Sequence, residues 1–577
     1  MSKQATKFGT FGGVFTPSIL TILCLIMYLR IPWIVGNAGL WLTIVFILVS
    51  HIISITTGLS AASIATDKKV EAGGNYYIIS RSLGLPIGGT LGIALFVGFS
   101  FSVSLYIIGF TESFLDYWNL PVSTQNIRIY GTITLLAVTS VTLFSTSLAI
   151  KMQYIIMLAI ALSLISILFG SNELVPEQAA MYPPDGGVPI AVLFGIFFPA
   201  VTGFTTGVQM SGDLQDPKRS IPLGTMAAIS VGFVVYIGLA IFLALRVDGN
   251  SLANDSSVLN KLSFFAPFLA AGIWGATISS AMGSILGAPR ILQATSKDRI
   301  TPNFFAKGYG PGNDPHHALI LTFIIAEIGI LIGELNLIAR IISIFFITTY
   351  GFINLVCALE NWAGPDFRPL FKIPSWVAIL GAGFCFFVMF ELDPLALLGA
   401  TILMSLLYAH LKRRELTLES GDTWEGIWSS VVRSGLIYLT RNRSHRRNWR
   451  PNILLFSGGS RVRPHLIEFG EWIVHKRGIL TNFDLLENDH ATELFSKPSQ
   501  PEENAASENG VFSRQLECRN IYEGIENIAQ VYGFSGIDPN TIMMGWARNS
   551  NHPARFTRMI NHLMQLDYNI LLLDYDR

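Results

Sequence analysis

Apolar runs of 17 to 31 residues recur along the first 410 positions, each too long for a soluble core helix and near the ~20 residues that span a bilayer. They cover roughly 14–35, 40–65, 86–116, 129–149, 152–171, 188–211, 224–246, 265–293, 318–335, 337–358, 375–391 and 394–410. The pattern predicts twelve membrane helices. An even number leaves both termini on one side. Fourteen lysines and arginines fall on the N-terminus and even-numbered connections, against five on the opposite side, which predicts cytoplasmic termini. The first run follows a short polar stretch and has no small-residue cleavage site, so it reads as a retained span.

The pattern changes after Lys412-Arg413-Arg414. Charged residues make up about 9% of positions 1–410 and about 24% of 411–577, the second figure being normal for soluble domains. Four parts are expected: a cytosolic 1–13, a membrane domain 14–410, a basic amphipathic linker 411–450 and an α/β domain 451–577. Within the linker, Trp424, Trp428, Val431, Val432 and Leu436 keep helical spacing beside many arginines. That helix suits either the anionic inner leaflet or a dimer contact. The last domain reads as strands at Asn452–Phe456, Thr541–Met544 and Asn569–Leu573, with helices at 464–476 and 554–566 and a loop over 497–511. The chain stops on a strand, so this domain is expected to be shortened.

Composition narrows the function. The 39 basic and 39 acidic residues cancel, which argues against a nucleic-acid partner. The four cysteines are scattered and read as small apolar packers. No H-E-x-x-H, G-x-S-x-G or P-loop pattern occurs, so neither an enzyme nor a cofactor is expected. The Ser457-Gly458-Gly459-Ser460 turn lacks full nucleotide-loop spacing.

Two runs are irregular. The sixth contains Phe197-Phe198-Pro199-Ala200-Val201-Thr202-Gly203-Phe204-Thr205-Thr206-Gly207, and the first contains Pro17, Thr21 and Cys24. Proline, glycine and threonine in mid-membrane free backbone groups that then need partners. The two runs lie five spans apart, an odd offset that inverts a repeated unit. Paired breaks of this kind point to a transporter's binding site, although such residues also simply kink packing helices. In the eighth run, Ala276-Thr277-Ile278-Ser279-Ser280-Ala281 suits a hard cation or close helix packing. His51 reads as a packed polar group, and Glu327 as structural or as an ion-path residue.

Several long motifs carry a resemblance. Tyr28 to Gly39, Gly73 to Gly84, Phe197 to Gly207, Met210 to Pro217, Gly287 to Ala294 and Arg450 to Leu455 resemble, in order, the cation–chloride cotransporters of the amino acid–polyamine–cation superfamily. The resemblance implies a LeuT-type fold of inverted five-helix repeats plus two helices. It also implies a homodimer in a plasma or inner membrane, and symport of Na⁺, Cl⁻ and K⁺ by alternating access. Short terminal and loop segments resemble a minimal, microbial-type member. By position, the family's K⁺ ligands correspond to Thr21, Ile22, Tyr106, Pro199 and Thr202, with Thr21 where the family carries asparagine. The Na⁺ ligands correspond to Leu20, Leu23, Ala276, Ser279 and Ser280. The Cl⁻ ligands correspond to Cys24, Leu25 and Ile26 at one site, with Cys24 where glycine is common, and to Gly203, Phe204, Thr205 and Tyr350 at the other. An amino-acid or amine permease and a membrane-tethered sensor with degenerate ion sites are the alternative readings.

Overall fold

The computed structural model describes residues 8–67, 73–144, 146–170, 179–184, 187–209, 214–255, 257–309, 313–364, 367–392, 394–413, 423–441, 449–458, 463–475, 477–488, 495, 511–533, 537–546 and 552–574. The chain divides into two compact units, Met1–Ile427 and Trp428–Arg577. The division falls somewhat after the charge step at Lys412.

The first unit is helical. A π-helical turn (Phe11–Phe15) leads into α1 (Thr16–Ile22), α2 (Leu25–Leu29) and α3 (Ile31–Asp67). A straight helix of 37 residues would run about 55 Å, far beyond the ~30 Å hydrocarbon core. It turns instead at Gly39 (φ 70°), which separates the first two expected runs. A Cβ there would lie 2.6 Å from the Tyr182 Cα, so only glycine fits. The amides freed by the turn, Leu40 and Trp41, donate to the Ala180 and Met181 carbonyls at 2.9 and 3.4 Å.

Then follow α4 (Asn75–Leu83), α5 (Leu85–Tyr117), α6 (Thr124–Phe144), α7 (Thr146–Leu168), α8 (Ile190–Phe197) and α9 (Thr206–Gln209). Next come α10 (Pro217–Arg246), α11 (Gly249–Asn254), α12 (Val258–Leu262), α13 (Ala266–Lys297), α14 (His316–Ile332), α15 (Leu335–Ala363), α16 (Ser375–Leu392) and α17 (Pro394–Lys412). Among the described residues, eight helices are long and apolar enough to cross a membrane, and four shorter apolar helices accompany them. The fourth and fifth runs were expected at 129–149 and 152–171, but their helices begin about five residues earlier. The first turn of α6 is polar (Thr124, Gln125, Asn126), and the Ser123 hydroxyl caps it by accepting from the Asn126 amide at 3.2 Å. Hydropathy alone overlooks such a turn.

After α18 (Thr423–Arg441) the second unit forms a parallel sheet of β1 (Asn452–Phe456), β2 (Ile479–Glu487), β3 (Val511–Cys518), β4 (Thr541–Gly545) and β5 (Asn569–Leu573). The strand order is β3-β2-β1-β4-β5, the doubly wound pattern of an α/β domain. Helix α19 (Pro464–Val474) packs on the face carrying Ile453, Leu455 and Leu480. Helices α20 (Ile521–Val531) and α21 (Pro553–Gln565) cover the face of Leu454, Phe456 and Phe483. The central strand is therefore buried on both sides, which explains its unbroken apolar run. Most of the expected 497–511 loop lies outside the described residues.

Candidate functional site

The first interruption falls between α1 and α2, at Leu23 (φ −82°, ψ 53°) and Cys24 (φ −102°, ψ −158°). Sequence placed Pro17 among the residues marking this break, but Pro17 lies near the start of α1, directly after the π-helical turn and six residues before Leu23, so it does not make the interruption. Leu23, Cys24, Leu25 and Ile26 are all buried. The Cys24 thiol faces the Leu25 and Ile26 amides and the Tyr106 hydroxyl of α5, so the side chain sits in the mouth of the break.

The second interruption lies between α8 and α9, where Phe198–Val201 and Gly203–Thr205 wind as two short 3₁₀ turns. Pro199 opens the first turn and supplies no N–H, so the α-helical ladder cannot pass through it. Four successive carbonyls here, Val201 to Phe204, accept from side-chain hydroxyls, and a further hydroxyl lies near the one before them. Tyr236 lies 3.5 Å from the Ala200 oxygen, and Ser54 donates to Val201 at 3.0 Å. Tyr350 donates to Thr202 at 2.5 Å, and Ser18 to Phe204 at 3.2 Å. The Gly203 oxygen lies 2.9 Å from the Thr21 hydroxyl and 2.8 Å from that of Thr206. The donating hydroxyls come largely from α1, α3 and α15, so three helices satisfy one stretch of freed backbone.

The two interruptions touch. Thr21 and Gly203 are so close that a Cβ on Gly203 would fall 2.3 Å from the Thr21 Oγ1. Tyr236, fully buried, donates to the Ile22 carbonyl at 2.7 Å, while its oxygen also lies near Ala200 in the other break. Sequence reading missed Tyr236, since a single tyrosine in a long apolar run carries no pattern.

The expected groups of residues map onto this geometry unevenly. Thr21, Ile22, Pro199 and Thr202 gather where the breaks meet, and Tyr106 reaches the same region through Cys24. The Thr202 hydroxyl donates to the Pro199 carbonyl at 2.9 Å, and that of Thr21 also lies 2.9 Å from the Pro17 and Ser18 carbonyls. Gly203, Phe204 and Thr205 lie beside the Tyr350 ring, which is 5.1 Å from that of Phe204. On α13, Ala276 and Ser280 are buried and Ser279 is half-buried. The Ser280 hydroxyl has no hydrogen-bond partner, whereas its neighbour Thr277 bonds back to the Ile273 carbonyl at 2.7 Å. Among the described residues the hydroxyls of Ser50, Ser63, Ser82 and Thr225 are buried without a partner in the same way. Leu20 and Leu23, grouped by sequence with Ala276, Ser279 and Ser280, are buried at the end of α1. Among the described residues, no cluster of three or more acidic, histidine or cysteine side chains could hold a metal.

Beyond α2, Arg30 pairs with Glu112 at 3.2 Å and donates to Asn336 at 2.7 Å. A cavity of about 260 Å³ opens there, lined by Tyr28, Arg30, Trp33, Asp255 and Asn336 among others. Sequence reading missed this pair as well. His51 contacts the Ile47 carbonyl at 2.8 Å and packs edge-on to Phe233, in keeping with a packed polar group. Glu327 accepts from Thr132 at 2.6 Å, away from both breaks.

A model of the amino acid permease family matches residues 13–455. Solute carrier family 12 member 1 of Mus musculus is 30% identical over 609 residues, covering 94% of this chain and 56% of the relative. Solute carrier family 12 member 2 of Mus musculus is 31% identical, covering 95% and 51%. Solute carrier family 12 member 9 of Xenopus laevis is 28% identical, covering 94% and 66%. The chain thus spans only a little over half the length of the first two relatives.

Proposed function

We propose a transport function from a premise that is itself a finding: the chain belongs to the amino acid permease family. Its similarity to solute carrier family 12 agrees with the motif resemblance to cation–chloride cotransporters. On our reading the chain carries Na⁺ and Cl⁻, with K⁺ as a third ion, by alternating access. The observation that carries this reading is the meeting of two buried helix breaks at Thr21 and Gly203. Broken helices give ions backbone dipoles in place of charged side chains.

In this reading K⁺ takes Thr21, Ile22, Tyr106, Pro199 and Thr202, and Na⁺ takes Leu20, Leu23, Ala276, Ser279 and Ser280. Chloride takes Gly203, Phe204, Thr205 and Tyr350 at one site and Cys24, Leu25 and Ile26 at the other. The apolar helices make twelve crossings with both termini cytoplasmic, and two copies associate in the membrane. The Arg30–Glu112 pair then closes the outer end of the path. Uptake of Na⁺ or Rb⁺ into proteoliposomes tests the reading. It should fall to background when gluconate replaces Cl⁻, and cation flux indifferent to that exchange would sink it.

The family's own description favours a second reading, movement of an amino acid. Fold does not choose between them. Saturable uptake of a labelled amino acid without Cl⁻ dependence would select the second.

A further inference from the structure

Helix α18 stands ten residues beyond α17 and is built from two unlike sides. At 100° per residue, Trp428, Val431, Val432, Tyr438 and Leu439 share one face. Ser430, Arg433, Ser434 and Arg441 share the other, with Ile437 as the one apolar residue among them. The apolar face is open: Trp428 is 64%, Val432 60% and Tyr438 69% exposed. Such a face on a helix outside the long apolar spans needs a cover, since scattered exposed hydrophobics are ordinary but a continuous stripe with a tryptophan is not.

The flanking charge says what the cover is. Between Gly426 and Pro451 the sequence holds six arginines (433, 441, 443, 446, 447 and 450) and no carboxylate, whereas Glu415, Glu419, Asp422 and Glu425 precede them, so positive charge gathers at the C-terminal end of the helix. A second copy aligned in parallel would bring two such cationic ends together. An anionic surface would neutralise them. The tyrosine and tryptophan on the apolar face suit the headgroup level of a bilayer, where a ring is half buried and half wet.

We propose that α18 lies in the plane of the membrane on the anionic leaflet from which α17 emerges. Its apolar face is sunk among the acyl chains, and its arginines hold phosphatidylserine-type headgroups. The inference is independent of which solute the helical unit carries. It makes the start of the second unit a membrane-bound element whose attachment varies with lipid charge.

Spin labels on the full chain in proteoliposomes test it, with the unsubstituted chain and its buried native thiols as the blank. A label at Val432→Cys should be reached by oxygen and shielded from a water-soluble nickel chelate in vesicles containing phosphatidylserine. A label at Ser434→Cys should stay open to the chelate. In pure phosphatidylcholine, or after replacing Arg441, Arg443, Arg446 and Arg447 with glutamine, the shielding at Val432 should be lost. Each arginine removed is expected to weaken partition roughly fivefold. Two outcomes overturn the proposal. Dipolar broadening between Val432 labels, unchanged by lipid composition, would show a second copy on the face. Free access of the chelate to Val432 in both lipids would show no membrane contact.

Discussion

The two helix breaks solve one problem in opposite ways. Between α8 and α9, hydroxyls from three helices reach four consecutive carbonyls. Between α1 and α2, one tyrosine serves the Ile22 carbonyl, and a thiol faces the amides opposite. The second break is anchored to its surroundings, while the first hangs on a few contacts. An unwound segment with many partners resists displacement, and one with few can move or exchange a partner for an ion. The difference assigns the fixed part of the proposed ion path to the second break and the adjustable part to the first.

The largest effect should come from forcing the breaks apart. Gly203→Ala places a methyl where the Thr21 side chain and backbone already lie, and uptake should fall to background in correctly assembled protein. Gly195→Ala is the control, because its nearest neighbour is the flexible Arg340 side chain at 3.2 Å. Equal tolerance of both substitutions would dissolve the idea that the contact matters.

Next is Tyr236→Phe, which removes a buried donor near both breaks. Hydrogen bonds in membrane helices are worth ~0.6 kcal/mol on average and up to ~1.7 kcal/mol, and we expect the upper end here. Ser54→Ala removes only one of several clasps on the second break and should cost about the average, ~0.6 kcal/mol. Thermal unfolding in detergent measures both. The reverse order would contradict the contrast between an anchored and a loosely held break.

A change of ion dependence without much change in stability should follow Thr21→Asn. The longer amide side chain restores a carbonyl oxygen beside Gly203, so Rb⁺ uptake should gain in affinity by a few-fold. An unchanged Rb⁺ dependence would remove Thr21 from the proposed K⁺ site. The smallest effect is expected from Glu112→Gln. The Arg30–Glu112 pair is less than one-fifth exposed, so it is screened less than a surface pair, yet Arg30 keeps Asn336 as a partner. Its loss should change uptake less than twofold at physiological salt, because Arg30 stays held by Asn336, and a larger loss would show that closure of the path depends on the charge of Glu112.

What was legible followed from periodicity and from special residues. The strands Asn452–Phe456 and Asn569–Leu573 are found with the bounds read from their unbroken apolar letters. Strand β2 was missed because Thr481, Asn482 and Asp484 interrupt its apolar letters, although all three are buried. Strand β3 was missed because it is an edge strand mixing Arg514 and Glu517 with apolar residues. In the membrane unit, Pro199 and Gly203 announced the second break correctly, since both act through the backbone. The first break has no proline or glycine at Leu23 or Cys24; of the residues named for it, Cys24 lies in the break and Pro17 does not. Nothing in a linear pattern joins Thr21 to Gly203 or Tyr236 to Ile22, because those pairs depend on how helices far apart in the chain cross.

Tyr236 carries a single phenolic proton, and two carbonyl oxygens compete for it, at 2.7 and 3.5 Å. It cannot serve both at full strength. A sub-ångström slide of one broken helix against the other would reverse which oxygen holds it. The vibrational frequency of that one O–H bond would therefore act as a ruler between the two halves of the bundle. An infrared band that splits or shifts on adding salt would register their relative motion before any solute has crossed.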